Sequence, residues 1–227
     1  MRWHMAALVG VLVLVICPFL VLAARAPVVF CAEGTVGVDD PERIAGVMRA
    51  CGYEAELCGS WDVGGRLPSD PRTLSRYSVV VLSDVEAWRL SPHHWEALDR
   101  YVRSGGGLLL VGGAYGLGAG GWDACPLVSV LPVLVEPGCE WRPVRAAVTG
   151  VSHTLARAVP WAECPEFRGM NPVKAKDLGF VVLSDRTSGM PLLAIRPWGR
   201  GRVAVFSSDI TASGVRSSTA GSIFRCS

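Results

Sequence analysis

The stretch LLLVGGAYGLGAGGW, Leu108 to Trp122, decides the fold, because a buried strand ends there in a run of glycines. Four apolar residues precede Gly112 and Gly113, and four more glycines follow within eight residues. Glycine admits backbone conformations that a sharp turn requires. Enzymes place nucleophiles or phosphate-binding loops at such junctions between a strand and a turn. The stretch therefore predicts either such a site or a turn that keeps only its shape.

The elements around this stretch alternate between strands and helices. One helix is predicted from a cap at Asp40 to Gly52, and another from a cap at Ser91 to Gly105. This alternation indicates a parallel sheet with helices on both faces. Residues 59–77 are rich in Gly, Pro, Ser and Asp and predict a loop. Strands are predicted at Val28–Cys31, 53–58, Ser78–Asp84, 107–113, 129–137, 180–185, 190–198 and 202–209, the last two as a hairpin.

The N-terminus carries a long apolar segment. Residues 5–24 contain no charge, and Arg2 and Arg25 flank them. About 20 apolar residues span a bilayer as a helix, so the segment predicts a single-pass membrane anchor. A signal peptide that is cleaved on secretion is the alternative. We divide the chain into an anchor or signal segment at 1–26, an α/β domain at 27–214 and an irregular tail at 215–227.

Composition argues against two classes of partner. The net charge is +2, and the only lysines are Lys174 and Lys176, so no basic surface for nucleic acid is expected. The eight cysteines form no C-x-x-C pair. His93 and His94 are adjacent in a predicted helix, where neighbouring side chains diverge. We therefore predict no metal site and no cofactor.

Three motifs resemble one known family. They are YVRSGGGLLLVGG, then GLGAGGW followed by PLVSVLPV, and finally GRGRVAVFSSD. Together they resemble the class I glutamine amidotransferase-like domain. The likeness is greatest to an uncharacterised membrane-associated branch that often occurs with von Willebrand type A domains. It covers about Val28 to Gly214 and implies a flavodoxin-like three-layer α/β sandwich with a mostly parallel sheet.

The resemblance also bears on catalysis. Active members of the family place a cysteine in a G-x-C-x-G elbow after a central strand, where backbone N–H groups can bind an oxyanion. This chain has GGAYG at Gly112 to Gly116, so Ala114 stands at the nucleophile position. Active members also carry a His and a Glu after the last core strand, and FSSDITASG, residues 206–214, contains neither. We therefore predict a degenerate elbow and no catalytic residue.

Acidic residues end three of the predicted strands. Each follows a serine, at Asp84, Asp185 and Asp209. Ligands of open parallel sheets sit at the carboxyl ends of strands. Asp84 should therefore lie beside the glycine turn, and Asp209 joins them if its strand runs parallel. The candidate ligand-binding residues are Asp84, Gly112, Gly113, Tyr115 and Asp209. The alternative is that each aspartate caps the turn that follows it.

These observations predict a non-catalytic domain that acts as a membrane-associated binding or structural module, with protein partners in a cell-envelope assembly. One alternative is a hydrolase or sugar-modifying enzyme that uses Asp84 and Asp209. The other is a nucleotide-binding sensor, because GLGAGG, Gly116 to Gly121, fits G-x-G-x-x-G. That motif should open a helix, and Trp122 to Pro126 make a poor helix start.

Overall fold

One eight-stranded sheet organises the part of the chain that the computed structural model describes: residues 28–34, 46, 48–49, 52–150, 152–158, 161, 164 and 166–210. Its strands are β1 (Val28–Glu33), β2 (Glu54–Gly59), β3 (Tyr77–Ser83), β4 (Gly107–Val111), β6 (Ala146–Val148), β8 (Phe180–Asp185), β9 (Pro191–Trp198) and β10 (Gly201–Phe206). Two further strands, β5 (Val133–Val135) and β7 (Val173–Ala175), form a small antiparallel sheet.

The large sheet is mixed. Its strand order is β2-β1-β3-β4-β10-β9-β8-β6. The first five strands run parallel, and each remaining strand is antiparallel to its neighbour. The α/β fold with a mostly parallel sheet is therefore confirmed, as is the hairpin of β9 and β10. Because β10 runs parallel to β4, its carboxyl end lies at the same edge of the sheet.

Both faces of the central strands are buried, which explains their continuous apolar sequence. Val79 and Val81 of β3 point into one apolar cluster, while Val80 and Leu82 point into the other. β4 alternates in the same way. Burial on both sides requires layers above and below the sheet, in agreement with the three-layer sandwich that the resemblance implies.

The helices with described bounds are α1 (Val63–Arg66), α2 (Pro71–Leu74), α3 (Pro92–Arg103) and α4 (Thr154–Ala158). α3 is amphipathic and covers one face of the sheet with Leu98, Tyr101 and Val102. Its start is held by a histidine: the Ser91 N–H donates to Nδ1 of His94 at 3.1 Å, and Nε2 of His94 lies 3.0 Å from the Leu67 carbonyl oxygen. His94 is thus a buried structural residue, while His93 is exposed.

The structure corrects three local predictions. Residues 59–77 are not a plain loop, because they contain α1 and α2; Asp70 caps α2 by accepting hydrogen bonds from the N–H groups of Arg72 and Thr73. The strand predicted at 129–137 is reduced to β5, because Pro126–Val130 form a 3-10 helix. β6 and β7 were missed, since three residues carry too little periodicity to reveal a strand.

Several predicted segments lie outside the described residues: the apolar segment within 1–26, the tail 215–227 and most of the helix from Asp40. Residues 46, 48 and 49 of that helix are described and are helical. No helix in the described ranges is long and apolar enough to cross a membrane.

Substitution of Leu98 by alanine tests the packing of α3. Leu98 is fully buried between α3 and the sheet. We expect Leu98→Ala to lower the free energy of unfolding by about 2–5 kcal/mol, from lost apolar contact and the cavity left behind. The measurement is urea denaturation followed by circular dichroism. Glu96→Ala, on the exposed face of the same helix, is the control and should change it by less than about 0.5 kcal/mol. Equal losses would contradict the assigned packing.

Candidate functional site

Three parallel strands end together at the carboxyl edge of the sheet. Asp84 follows β3, and its N–H donates to the Val111 carbonyl at 3.0 Å. The glycine turn follows β4, and the Gly112 N–H donates to the Phe206 carbonyl of β10 at 2.8 Å. Asp209 lies just beyond β10 and is partly exposed. The structure therefore places Asp84, the turn and Asp209 at one edge.

The Asp84 carboxylate lies under the glycine turn. Its Oδ1 accepts a hydrogen bond from the Tyr115 N–H at 2.6 Å, and the Gly116 N–H also donates to the carboxylate. Asp84 is only 2% exposed, and its φ of 51° lies in the left-handed region that favours glycine. The side chain therefore caps a turn that comes 31 residues later in the chain, whereas the turn-capping alternative expects it to cap the turn that directly follows Asp84.

Burial raises the pKa of Asp84 to about 6 from an ordinary 3.8. The negative charges of Asp209 and Glu86 act in the same direction, while the two backbone hydrogen bonds oppose the rise. These N–H donors stabilise the ionised carboxylate, but by less than the loss of hydration destabilises it. Asp84 thus holds its charge at neutral pH at a cost in stability.

Glycine is required at position 113 because of this carboxylate. Gly113 has a φ of 155°, and a Cβ there would overlap the carboxylate of Asp84. On the other side of Asp84, a Cβ on Gly34 would overlap its backbone carbonyl. Asp84 is therefore enclosed by backbone on two sides.

Asn171 is a second polar residue that fixes the turn. It is fully buried, and its Oδ1 accepts a hydrogen bond from the Gly113 N–H at 2.9 Å. Its Nδ2 donates to three carbonyl oxygens, those of Gly113, Gly116 and Gly138, each at 3.2 Å. The Asn171 N–H donates to the Ser207 carbonyl at 2.7 Å. Sequence reasoning missed Asn171, because it belongs to no motif and lies 58 residues from the turn.

The turn's N–H groups are therefore largely bonded within the protein. Asn171 binds that of Gly113, and Asp84 binds those of Tyr115 and Gly116. An oxyanion hole needs N–H groups that are free to meet the developing charge. Ala114 lies in the middle of this turn and is half-buried. The Asp84 carboxylate therefore occupies the N–H groups of Tyr115 and Gly116 as an anion supplied by the protein itself.

One thiol also approaches the two aspartates. Cys139 is half-buried, and its pKa is raised to about 11, first by burial and then by the charges of Asp84 and Asp209. The thiolate is the nucleophilic form of cysteine, so this environment disfavours the reactive form of Cys139 at neutral pH. No motif or spacing in the sequence predicts that this loop residue lies near the two acids.

Asp185, the third Ser–Asp step, has a local role. It accepts hydrogen bonds from the N–H and hydroxyl of Ser188 and from Arg142, all within 2.9 Å. Burial alone would raise the pKa of Asp185, but these donors lower it to about 2. Here the turn-capping alternative describes the structure. An open groove of about 390 Å³ lies nearby, away from Asp84, and is lined by Thr149, Ser184 and Ser188 with neighbours from β7 and β9.

Residues 38–217 match the family model described as "GATase1_like: Putative glutamine amidotransferase". The chain belongs to the glutamine amidotransferase-like family. No curated protein sequence matches it.

Solved structures with the same glutamine amidotransferase-like fold include two cytoplasmic proteins, STM1381 from Salmonella typhimurium LT2 and STM3548 from Salmonella typhimurium. The first is 23% identical, with a TM-score of 0.70 over 82% of this chain and 89% of its own. The second is 24% identical, with a TM-score of 0.69 over 81% of this chain and 87% of its own. A ThuA-like protein from Bacteroides uniformis ATCC 8492 is 14% identical, with a TM-score of 0.55 over 83% and 84%. At these identities the likeness shows the fold alone.

The raised pKa of Asp84 predicts a dependence of stability on pH. Folding raises this pKa from 3.8 to about 6, so the folded state binds the proton more tightly and stability falls as pH rises across that range. Asp84→Asn keeps an oxygen acceptor and removes the charge. We expect wild type to lose about 2–3 kcal/mol relative to Asp84→Asn between pH 4 and pH 7, measured by urea denaturation. Parallel profiles for the two proteins would contradict the assignment.

Proposed function

We propose that this chain is a non-hydrolytic member of its family, a binding or structural module held at a membrane. The carrying observation is the internal bonding of the elbow: its N–H groups donate to Asp84 and Asn171. A turn whose N–H groups already donate to the protein lacks the preorganised donors that stabilise the oxyanion in acyl-transfer chemistry.

The chemistry of the side chains supports the same proposal. Ala114, at the position that the resemblance gives to the nucleophile, has only a methyl group. Cys139 is near the two acids, but its raised pKa keeps it protonated. Residues 206–214 supply neither a histidine nor a glutamate as a general base. The position of the nucleophile thus carries a methyl group, residues 206–214 supply no general base, and the N–H groups that could bind an oxyanion donate to the protein instead.

A hydrolase or sugar-modifying enzyme that uses Asp84 and Asp209 is less well supported. Such chemistry needs two carboxyl groups that reach the substrate. Asp84 is buried, and its carboxylate is engaged by two backbone N–H groups. Its role as a cap competes with a role in catalysis.

A nucleotide-binding sensor is also less well supported. The glycines of GLGAGG serve close packing of the backbone: a Cβ on Gly118 would overlap the Glu136 carbonyl, and one on Gly120 would overlap the Tyr115 carbonyl. Residues Leu117–Gly120 form one short 3-10 helix, and Gly121 ends it with a φ of 74°. A phosphate site of the dinucleotide type needs the first turn of a longer helix.

A glutaminase assay on Ala114→Cys tests the proposal. We expect no release of ammonia from glutamine by wild type and none by the variant, because restoring a thiol does not free the bonded N–H groups. Iodoacetamide should nevertheless label the variant at one more site than wild type, which shows by mass spectrometry that the new thiol is accessible.

An active amidotransferase glutaminase serves as the positive control for this assay. Glutamine hydrolysis by wild type would overturn the proposal. Hydrolysis by Ala114→Cys alone would show that the oxyanion donors are intact, and would overturn the argument from the bonded turn.

Membrane attachment is tested by fractionation of the full chain and of residues 27–227. Residues 5–24 are apolar and long enough to span a bilayer, so we expect the full chain in the membrane fraction after alkaline carbonate washing. The shortened chain should be in the supernatant. Recovery of the full chain in the supernatant would contradict the anchor, and a shorter mature mass would favour the cleaved signal peptide.

A further inference from the structure

Three large aromatic side chains are exposed at the carboxyl edge of the sheet. Trp61 is 73% exposed, Trp88 65% and Tyr115 53%. They lie on the connections after β2, β3 and β4, which all run parallel. We call these three residues the aromatic face. Exposed aromatic residues on a rigid frame commonly mark interaction sites.

The first link within the aromatic face is a cation–π contact. The guanidinium carbon of Arg89 lies 3.8 Å from the ring centroid of Trp61. Arg89 is also paired with Glu86, whose Oε1 accepts a hydrogen bond from Nη2 at 2.8 Å. Both side chains of this ion pair are largely buried, so the pair fixes Trp61 against the connection that carries Trp88.

The second link is the glycine-rich turn. A Cβ on Gly120 would overlap the carbonyl oxygen of Tyr115 and would lie 3.1 Å from the Cα of Glu86. A Cβ on Gly121 would lie 3.5 Å from the ring of Trp88. The turn therefore lies between the Tyr115 backbone and the β3 connection, so the three aromatic residues stand on segments that pack against one another.

Two acidic residues adjoin the aromatic face in the chain, Asp62 after Trp61 and Asp123 after the glycine turn. Asp62 and Asp123 are exposed, and neither forms an ion pair among the described residues. Arg89 is paired with Glu86, and Arg66 lies 3.9 Å from Glu56, a carboxylate that Arg76 contacts more closely at 2.9 Å. A complementary partner surface carries cations, which aromatic rings also attract.

We propose that the aromatic face binds a protein partner that presents Lys or Arg beside apolar residues. This deepens the proposed function, because it rests on the chain being a binding module. Trp, Tyr and Arg are the residues that dominate binding energy at protein interfaces. Small-molecule sites are concave, and the groove of about 390 Å³ lies elsewhere, beside Ser184 and Ser188.

Topology separates this face from a membrane that holds residues 5–24. β1 begins at Val28, four residues after position 24 in the sequence, so the anchor proposed above would adjoin the amino edge of the sheet. The aromatic face lies at the opposite edge, about 20 Å away along a six-residue strand. A protein partner, rather than the lipid surface, is positioned to meet it.

Photo-crosslinking in the cells that produce the full chain tests this surface. p-Benzoylphenylalanine replaces Trp88 or, as a control, Leu178, which is 70% exposed and outside the aromatic face. We expect a protein adduct at Trp88 with a yield about tenfold above that at Leu178. Sequencing of the crosslinked peptide should show Lys or Arg beside apolar residues.

A charge variant makes the test specific. Asp62→Asn with Asp123→Asn should lower the adduct yield at Trp88 severalfold, whereas Asp177→Asn, next to the control position, should leave it unchanged. An absent adduct, an adduct of lipid or glycan only, equal yields at the two positions, or no effect of the double variant would overturn the proposal. None of these outcomes alters the glutaminase result, so failure of this surface and failure of the proposed function are distinguishable.

Discussion

The hydrogen bonds between the Asp84 carboxylate and the N–H groups of Tyr115 and Gly116 organise the carboxyl edge of the sheet. They join the end of β3, where Asp84 lies, to the turn that follows β4. The close approach requires glycine at position 113, where a Cβ would meet the carboxylate. It also buries a charge, which raises the pKa of Asp84 to about 6. A buried charge is tolerated only when donors surround it, so the turn and the aspartate depend on each other.

Asn171 completes this arrangement from the opposite side. Its amide bonds to the turn and to the loop that carries Gly138, and its backbone bonds to the residue after β10. Because buried polar groups are costly when unpaired, a network in which one amide satisfies four backbone groups favours a single conformation. The turn is thereby held in one conformation, and the N–H groups of Gly113, Tyr115 and Gly116 are bonded within the protein. This combination underlies our proposal of a module that binds without hydrolysing glutamine.

The same turn also shapes the outer surface. Its glycines pack against the connection after β3, and the side chains of Tyr115 and Trp88 are both exposed. The hydrogen bonds from the turn to Asp84 make the turn rigid, and the rigid turn supports the aromatic face. The proposed partner surface and the proposed loss of hydrolysis follow from one local structure, although separate experiments test them.

Local periodicity in the sequence was enough to place the central strands and α3, because continuous apolar runs and a helical apolar stripe report burial directly. It also located the glycine turn and the alanine within it. Sequence patterns did not predict the short strands β6 and β7 or the helices at 63–74, since three or four residues carry little periodic signal. Only the tertiary structure decided that Asp84 caps a turn from another strand, that Asn171 locks it and that Cys139 faces the acids. Those contacts join residues far apart in the chain, and their energies depend on burial and distance, which a linear pattern does not encode.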